Sequence, residues 1–318
     1  MMQTHGRRAM TLMLAIAACL VTAGLAVQTS HASQPGTEQT PETTRGDRQV
    51  VLAMVLRVGD EEQFVTELDI EEKKTVFNQT TTQRLLQRAE VTMTVEDVTE
   101  RGSTITVVFN RIAFEAKGEP LNGAFDSRDP SDRDQGNLFA VAMRPIIGAP
   151  LRVSLSADRT IQRISGMRGL TPEDPRASLL FESFFSEESL KNMLQVMFRM
   201  KSDPTSARIG EEWSEVKLDQ TDFGMLRRTT EYTLASVDEG IARITLGGDV
   251  TVTDSMPGNP VATRIESSSV EGSSMWNTRA GRLDRHTAET NAVMKAGDEE
   301  FAFTSEIRSR VRIVRAPK

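Results

Sequence analysis

Carboxylates and one histidine are the groups through which this sequence could move protons or hold a metal. Beyond residue 32 the only histidine is His286, and the single cysteine is Cys19. A Ser-His-Asp arrangement needs a histidine beside its nucleophile, and zinc draws on several His or Cys ligands, so neither is expected. His286, alone on an alternating segment, reads as structural or solvated. The pairs Glu61-Glu62 and Glu211-Glu212 recur in similar surroundings. Acid–base work needs two carboxylates on one substrate, but adjacent strand residues point to opposite faces, so both pairs read as acidic turns that keep strand ends solvated. The loop "DSRDPSDRDQGN" holds Asp126, Asp129, Asp132 and Asp134. Counted from Asp132, Gly136 is fifth and Met143 twelfth, where an EF-hand needs Gly sixth and Glu twelfth. Arg308, Arg310 and Arg312 share one face of an alternating segment. They suit an anionic headgroup or polysaccharide, or the solvent face of an edge strand. No glycine-rich phosphate loop, Gly-x-Ser-x-Gly elbow or basic-aromatic interleaving occurs. No cofactor or metal is expected.

The elements that must position these groups are mostly strands. Phe64, Thr66, Leu68 and Ile70 alternate with Glu67, Asp69 and Glu71. Ile105, Val107 and Phe109 alternate with Thr104, Thr106 and Val108. Phe301, Phe303, Ile307, Val311 and Ile313 oppose Glu306, Arg308, Arg310 and Arg312. A period of two with one polar side means antiparallel strands covering a core on one face. Turn signals separate them at Glu100-Arg101-Gly102, Asp238-Glu239-Gly240, Gly247-Gly248, Ala280-Gly281 and Ala296-Gly297-Asp298.

The pattern is written twice. "EVTMTVEDVTERGSTITVVF" at 90–109 resembles "EYTLASVDEGIARITLGGDV" at 231–250. Val58-Gly59-Asp60-Glu61 precedes Phe64, as Ile209-Gly210-Glu211-Glu212 precedes Trp213. "LRVSLSADRTIQRIS" closes the first copy and "SSMWNTRAGRLDRHT" the second. A curved half-sheet leaves an apolar face and an open edge, and a second copy can bury both. Between the copies lies a helical region. Thr171-Pro172-Glu173-Asp174 carries start signals, Ser186 suits the cap of a second helix, and Asp203-Pro204 ends it. A shorter helix is expected over Leu138–Met143, before Pro145. Leu190, Met193, Leu194, Met197 and Phe198 share one helical face. With Leu180 and Phe184 they are the candidate lining of a site for an apolar ligand, because methionine adapts to irregular apolar shapes; the alternative is that they plug the sheet as core.

The N-terminus carries Arg7-Arg8, the apolar run "AMTLMLAIAACLVTAGLAV" and small residues at Ser30-His31-Ala32, the parts of an export signal. Lipidation at Cys19 and retention of Met10–Val27 as a membrane anchor are alternatives. Without the first 32 residues, 36 Lys and Arg face 45 Asp and Glu, a balance of −9, which argues against nucleic acid as partner. Residues 33–48, rich in Thr, Gln and Pro, read as a flexible tether; Arg45-Gly46-Asp47 within it is too short to carry an adhesion role. The organisation expected is an export signal (1–32), the tether (33–48), a first β half (49–170), a helical segment (171–203) and a second β half (204–316), the halves forming one unit.

Gly59 with Phe64, Gly210 with Trp213, Tyr232-Thr233-Leu234, Val237-Asp238-Glu239-Gly240 and Phe125-Asp126-Ser127 resemble the pattern of an uncharacterised family of exported bacterial proteins. The resemblance covers most of 49–316; Val91 departs from it where a tyrosine would stand. It implies the compartment and the duplication, and no activity.

The fold expected is mainly β (α+β): a curved antiparallel sheet, or half-barrel, of two related halves with two to three helices on its concave face. The function expected is non-enzymatic. It is an exported, periplasmic or secreted, binding or envelope-associated protein with a lipid or other apolar ligand under the helices, touching membrane only through a retained N-terminal segment. The alternatives are a module that engages an envelope protein through β edges, and a carboxylate-dependent hydrolase of envelope polymers.

Overall fold

The computed structural model describes residues 49–317 except 77, 120, 131–135, 203, 222–223, 255–262 and 298–302. The export signal, the tether, Asp132, Asp134, Asp203, Asp298 and Phe301 therefore lie outside the described residues.

The first half contains β1 (Val50–Val51), β2 (Glu61–Val76), β3 (Gln79–Thr99), β4 (Gly102–Lys117), β5 (Gly123–Asp126), α1 (Leu138–Met143), β6 (Leu151–Ser156) and β7 (Ile161–Ser165). Helices α2 (Pro175–Phe185) and α3 (Glu187–Phe198) follow. The second half contains β8 (Ser206–Ala207), β9 (Glu212–Thr221), β10 (Gly224–Asp238), β11 (Ile241–Asp254), β12 (Thr263–Asn277), β13 (Arg282–Ala296) and β14 (Phe303–Arg315). Apart from a β1–β8 pair, the strands form one antiparallel sheet in the order β7-β6-β4-β3-β2-β14-β13-β12-β11-β10-β9, with β5 added to β4. The sheet is curved and open. Alternate residues of β2, β3 and β4 are buried, as expected for strands with one face on a core.

Main-chain hydrogen bonds show the duplication residue by residue. In the first half Gly59 N–H donates to Val95 O and Val95 N–H to Asp60 O, both at 2.9 Å; in the second, Gly210 donates to Leu234 (2.8 Å) and Leu234 to Glu211 (3.1 Å). Gly59 and Gly210 have φ of +83° and +85°. The β3–β4 pairing skips a residue between Val95 and Asp97, and β10–β11 between Leu234 and Ser236. The β6–β7 and β12–β13 pairs also slip at corresponding places, Ser154/Leu155 and Met275/Trp276. Bulges bend a strand and increase its twist, so repeating them gives both halves the same curvature. By this register Trp213 corresponds to Glu62, and Phe64 lies two residues further along the same face.

β14 has no counterpart in the first half. It lies between the halves, pairing with β2 on one side and β13 on the other. Arg308, Arg310 and Arg312 thus stand on a central strand, a correction to the edge-strand reading. An edge does not need to be guarded there; the arginines instead meet carboxylates of the flanking strands.

Helix α1 is capped by Asn137, whose side chain accepts from the amides of Phe139 and Ala140. The start of α2 lies later than Thr171: Asp174 Oδ1 accepts from Arg176 and Ala177 N–H at 2.9 Å, and Pro175 fills the first helical position. Both caps precede a proline, but a helix begun at Thr171 would carry Pro175 in its fourth position, where it has no N–H to give the Thr171 carbonyl and disfavours a helical Asp174. Started at Asp174, the same proline fills the first position, where neither cost arises. Ser186 caps α3 through Ser189 N–H. The helices lie on the inner face of the first half: the Phe109 and Phe185 rings are 5.5 Å apart, Phe114 and Phe184 5.3 Å, and Phe114 and Phe139 4.7 Å. Residues 52–55 bond to Thr205, Phe198 and Gly281. This strap ties the helices to the β12–β13 turn, so the interior of both halves is one continuous core.

Candidate functional site

The seven helix residues singled out from the sequence come together in that core. Leu180, Leu190, Leu194, Met197 and Phe198 are completely buried, and Phe184 and Met193 are partly buried against them. Phe184 packs on Phe114 of β4, α3 lies against β7 and β13, and Phe198 O accepts from Met54 N–H of the strap. Neither of the two grooves described below includes any of them.

His286 is buried on the inner face of β13, with Nδ1 2.8 Å from Ser274 Oγ. Its Nε2 has no partner among the described residues. Burial pushes its pKa down to about 4, so the ring is neutral at physiological pH. Ser274 and His286 occupy the positions of Val153 and Ile164, a facing pair in the first half. The second half has replaced an apolar pair with a hydrogen-bonded one. Glu61 is exposed, while Glu62 is buried beside Arg282 and Arg315; the two face apart, as the strand period requires. Asp126 is held by Arg111, which lowers its pKa and keeps it ionised. Among the described residues no cluster of His, Cys, Asp and Glu could hold a metal ion.

The outer face of β13, β14, β2 and β3 carries interleaved charges. Glu67 accepts from Arg88 (2.8 Å) and Arg312 (2.9 Å), Asp69 from Arg84 (2.8 Å), and Glu289 from Arg308 (2.9 Å) and Arg310 (2.8 Å). Hydrogen bonds from Arg308 and Arg310 hold the Glu289 carboxyl down to about 2. A groove of about 530 Å3 crosses this face, lined by Glu67, Asp69, Arg88, Ala113, Arg310 and Arg312 among others. The arginine ladder is neutralised by its neighbours, so it does not present the unpaired positive strip that an anionic polymer seeks.

A second groove, of about 550 Å3, lies between β11 and β12, lined by 249–253 and 264–268. The β11–β12 ladder runs from Ile241↔Asn277 to Leu246↔Gly272 and stops, although both strands continue. The corresponding β4–β6 ladder also has six pairs, ending at Val107↔Leu151. Past that point the halves diverge. Beside β4, residues 113–116 pair with β5. Their counterparts, 251–254 of β11, pair with β10 on one side; on the other side no described strand pairs with them, and 251–253 face the groove with 264–268 of β12 across it.

A serine closes the ladder side of each place. Ser127 Oγ accepts from Ile112 N–H (3.1 Å) and Ser127 N–H donates to Ile112 O (2.9 Å). Ser268 Oγ accepts from Val250 N–H and donates to Val250 O, both at 2.8 Å, and Val250 is the counterpart of Ile112. The second half thus has the clasp and, among the described residues, no strand paired beside it. Sequence reasoning missed this seam. The signals present were Gly247-Gly248, where β11 leaves the ladder, and the lack of a second Phe-Asp-Ser.

Fold and surfaces define an open antiparallel β protein with surface grooves, one of them with an apolar floor of Leu68, Leu86, Phe114 and Phe125 between charged walls. A family model described as "Family of unknown function (DUF6263)" matches residues 100–279, more than half of the 318 residues, and the chain belongs to that family. No curated protein matches it. Among solved structures it is similar to lipovitellin, in a study of lipid–protein interactions, with 10% identity over 82% of this chain and a TM-score of 0.40. The chain spans 25% of the lipovitellin chain. It is also similar to DynF of the dynemicin biosynthesis pathway of Micromonospora chersina (8% identity; 92% of this chain, 93% of that one; TM-score 0.18). An outer membrane channel of Pseudomonas putida F1 aligns with 8% identity over 86% of this chain and 100% of that one, at a TM-score of 0.23. At these scores none bears on function.

Proposed function

We propose that this chain is an exported, non-catalytic binding protein that takes up an extended polypeptide segment of an envelope partner by strand addition at the β11–β12 seam. The observation behind this reading is that the first half supplies its own strand beside β4, whereas among the described residues no strand pairs at the equivalent place beside β11. Strand addition draws affinity from main-chain hydrogen bonds and specificity from alternate side chains. The fitting segment is one like β5, antiparallel to β11, with an apolar residue facing inward as Phe125 does opposite Phe114. A lipid under the helices would instead have to displace side chains already packed in the core, losing contacts worth about 2–5 kcal/mol for each large residue.

The test is site-specific photo-crosslinking in the producing cell, with the probe at Thr253 in the seam or at Asn291 on the outer face of β13. Adducts to one polypeptide segment from Thr253 alone support strand addition. Equal yields at both positions, no adduct at Thr253, or a lipid retained in the native mass spectrum without a polypeptide would overturn it in favour of another binding mode.

A further inference from the structure

We infer that two copies of this chain pair edge to edge through β9, about a two-fold axis at Val216, and this does not rest on the seam reading. The two ends of the sheet are treated differently. At the β7 end, outward N–H groups are already satisfied by helix side chains: Ile161 N–H donates to Gln195 Oε1 (2.8 Å) and Ile164 N–H to Glu187 Oε1 (3.2 Å). No strand or helix among those described covers the other end. β9 is ten residues long, contains no proline, and pairs with β10 without a slip from Glu212 to Thr221. Long, regular, unguarded edges are templates for another strand.

The direction of each main-chain group follows from the pairing. Leu234 exchanges hydrogen bonds with Gly210 and Glu211, and groups alternate along an antiparallel strand. Odd-numbered residues of β9 therefore face β10, and the N–H and C=O of Ser214, Val216 and Leu218 face the free edge. A two-fold antiparallel pair can be centred on one of these residues or on an odd-numbered residue between them; centring on Glu215 or Lys217 sets like charges against each other at the axis, Glu215 on Glu215 or Lys217 on Lys217. Centring on Val216 overlaps nine residues of each strand, from Glu212 to Gln220. Val216 then faces Val216 of the second copy, and Leu218, 57% exposed in the single chain, faces Ser214. On the opposite, inner face Glu215 stands across from Lys217 of the second copy and Lys217 across from its Glu215, so no like charges meet. Both are already engaged within the single chain, Lys217 buried and Glu215 accepting from Tyr232 Oη, and the outer-face pairing of Val216 and Leu218 carries the register. Centring on Ser214 shortens the overlap to five residues.

The full-length gene product and its Val216→Lys and Val216→Glu variants are compared by light scattering over a concentration range, with circular dichroism to check folding. The expected result is a dimer for the natural chain and monomers for each variant, because like charges then face each other at the axis. An equimolar mixture of the two variants should restore the dimer. Amide exchange on the natural chain gives a second readout: Ser214, Val216 and Leu218 should exchange at least tenfold more slowly at dimer-forming concentration than on dilution. A natural chain that stays monomeric, a dimer that survives both variants, or exchange at these amides independent of concentration would each overturn the pairing.

Discussion

At the residue scale the clearest lesson is that the one histidine is a structural group with an acid sensitivity. The unfolded chain takes up a proton at His286 near the ordinary value of 6.5, whereas the folded chain does so only at about 4. Between these values the unfolded state binds more protons, so stability falls as pH drops from 6.5 to 4 and this group adds nothing further below. The span corresponds to roughly 3 kcal/mol. Replacing Ser274 by Val and His286 by Ile together recreates the Val153–Ile164 pair, and should flatten the urea midpoint across this window while keeping folding at pH 7. His286→Ile alone leaves Ser274 Oγ buried without its partner and should cost about 1–3 kcal/mol. Urea titrations at a series of pH values check both; an unchanged slope in the double variant would assign the acid sensitivity elsewhere.

At the element scale the duplication makes a quantitative demand. Gly59 and Gly210 sit in equivalent turns at equal φ, and an added Cβ at either would meet nothing within 4 Å. The penalty for alanine is therefore the backbone alone, about 1–2 kcal/mol. Gly59→Ala and Gly210→Ala should shift the urea midpoint by equal amounts within about 0.5 kcal/mol, although one turn precedes a central strand and the other an edge strand. A difference well beyond that would mean that the turns are not equivalent. The helices were legible before the fold was known, because caps and 3.6-residue periodicity are local. Leu138–Met143 and the Ser186 cap appear where expected, while Asp174 displaced Thr171 because two competent caps stood within four residues and only the proline after Asp174 decides between them.

At the scale of the whole molecule β14 is the joint. The last strand of the chain pairs along its length with both β2 and β13, so the halves cannot share one sheet until it is in place. A chain ending at Ala302 should lose the single unfolding transition: circular dichroism in urea should show two weaker transitions or a broad one. A single transition at the original midpoint would show that the halves hold together through the core and the strap alone. The same topology explains the outer face. Arg308, Arg310 and Arg312 bridge β13, β14 and β2 across the joint, but each pair is partly solvated and contributes at most about 1 kcal/mol, so hydrogen-bonded strands and core burial carry the connection.

Alternation, turn residues, caps and the repeated hairpin are written in neighbouring residues, so the sequence alone determined that this is a mainly β chain with a repeated pattern and helices between the copies. Strand order is another matter. Whether β14 caps an edge or joins the halves, and whether a strand lies beside β11 as β5 lies beside β4, depends on pairings between residues far apart in the chain, such as Arg312 with Glu67, 245 positions away. Those pairings are chosen by the burial of the whole sheet, which no local pattern encodes.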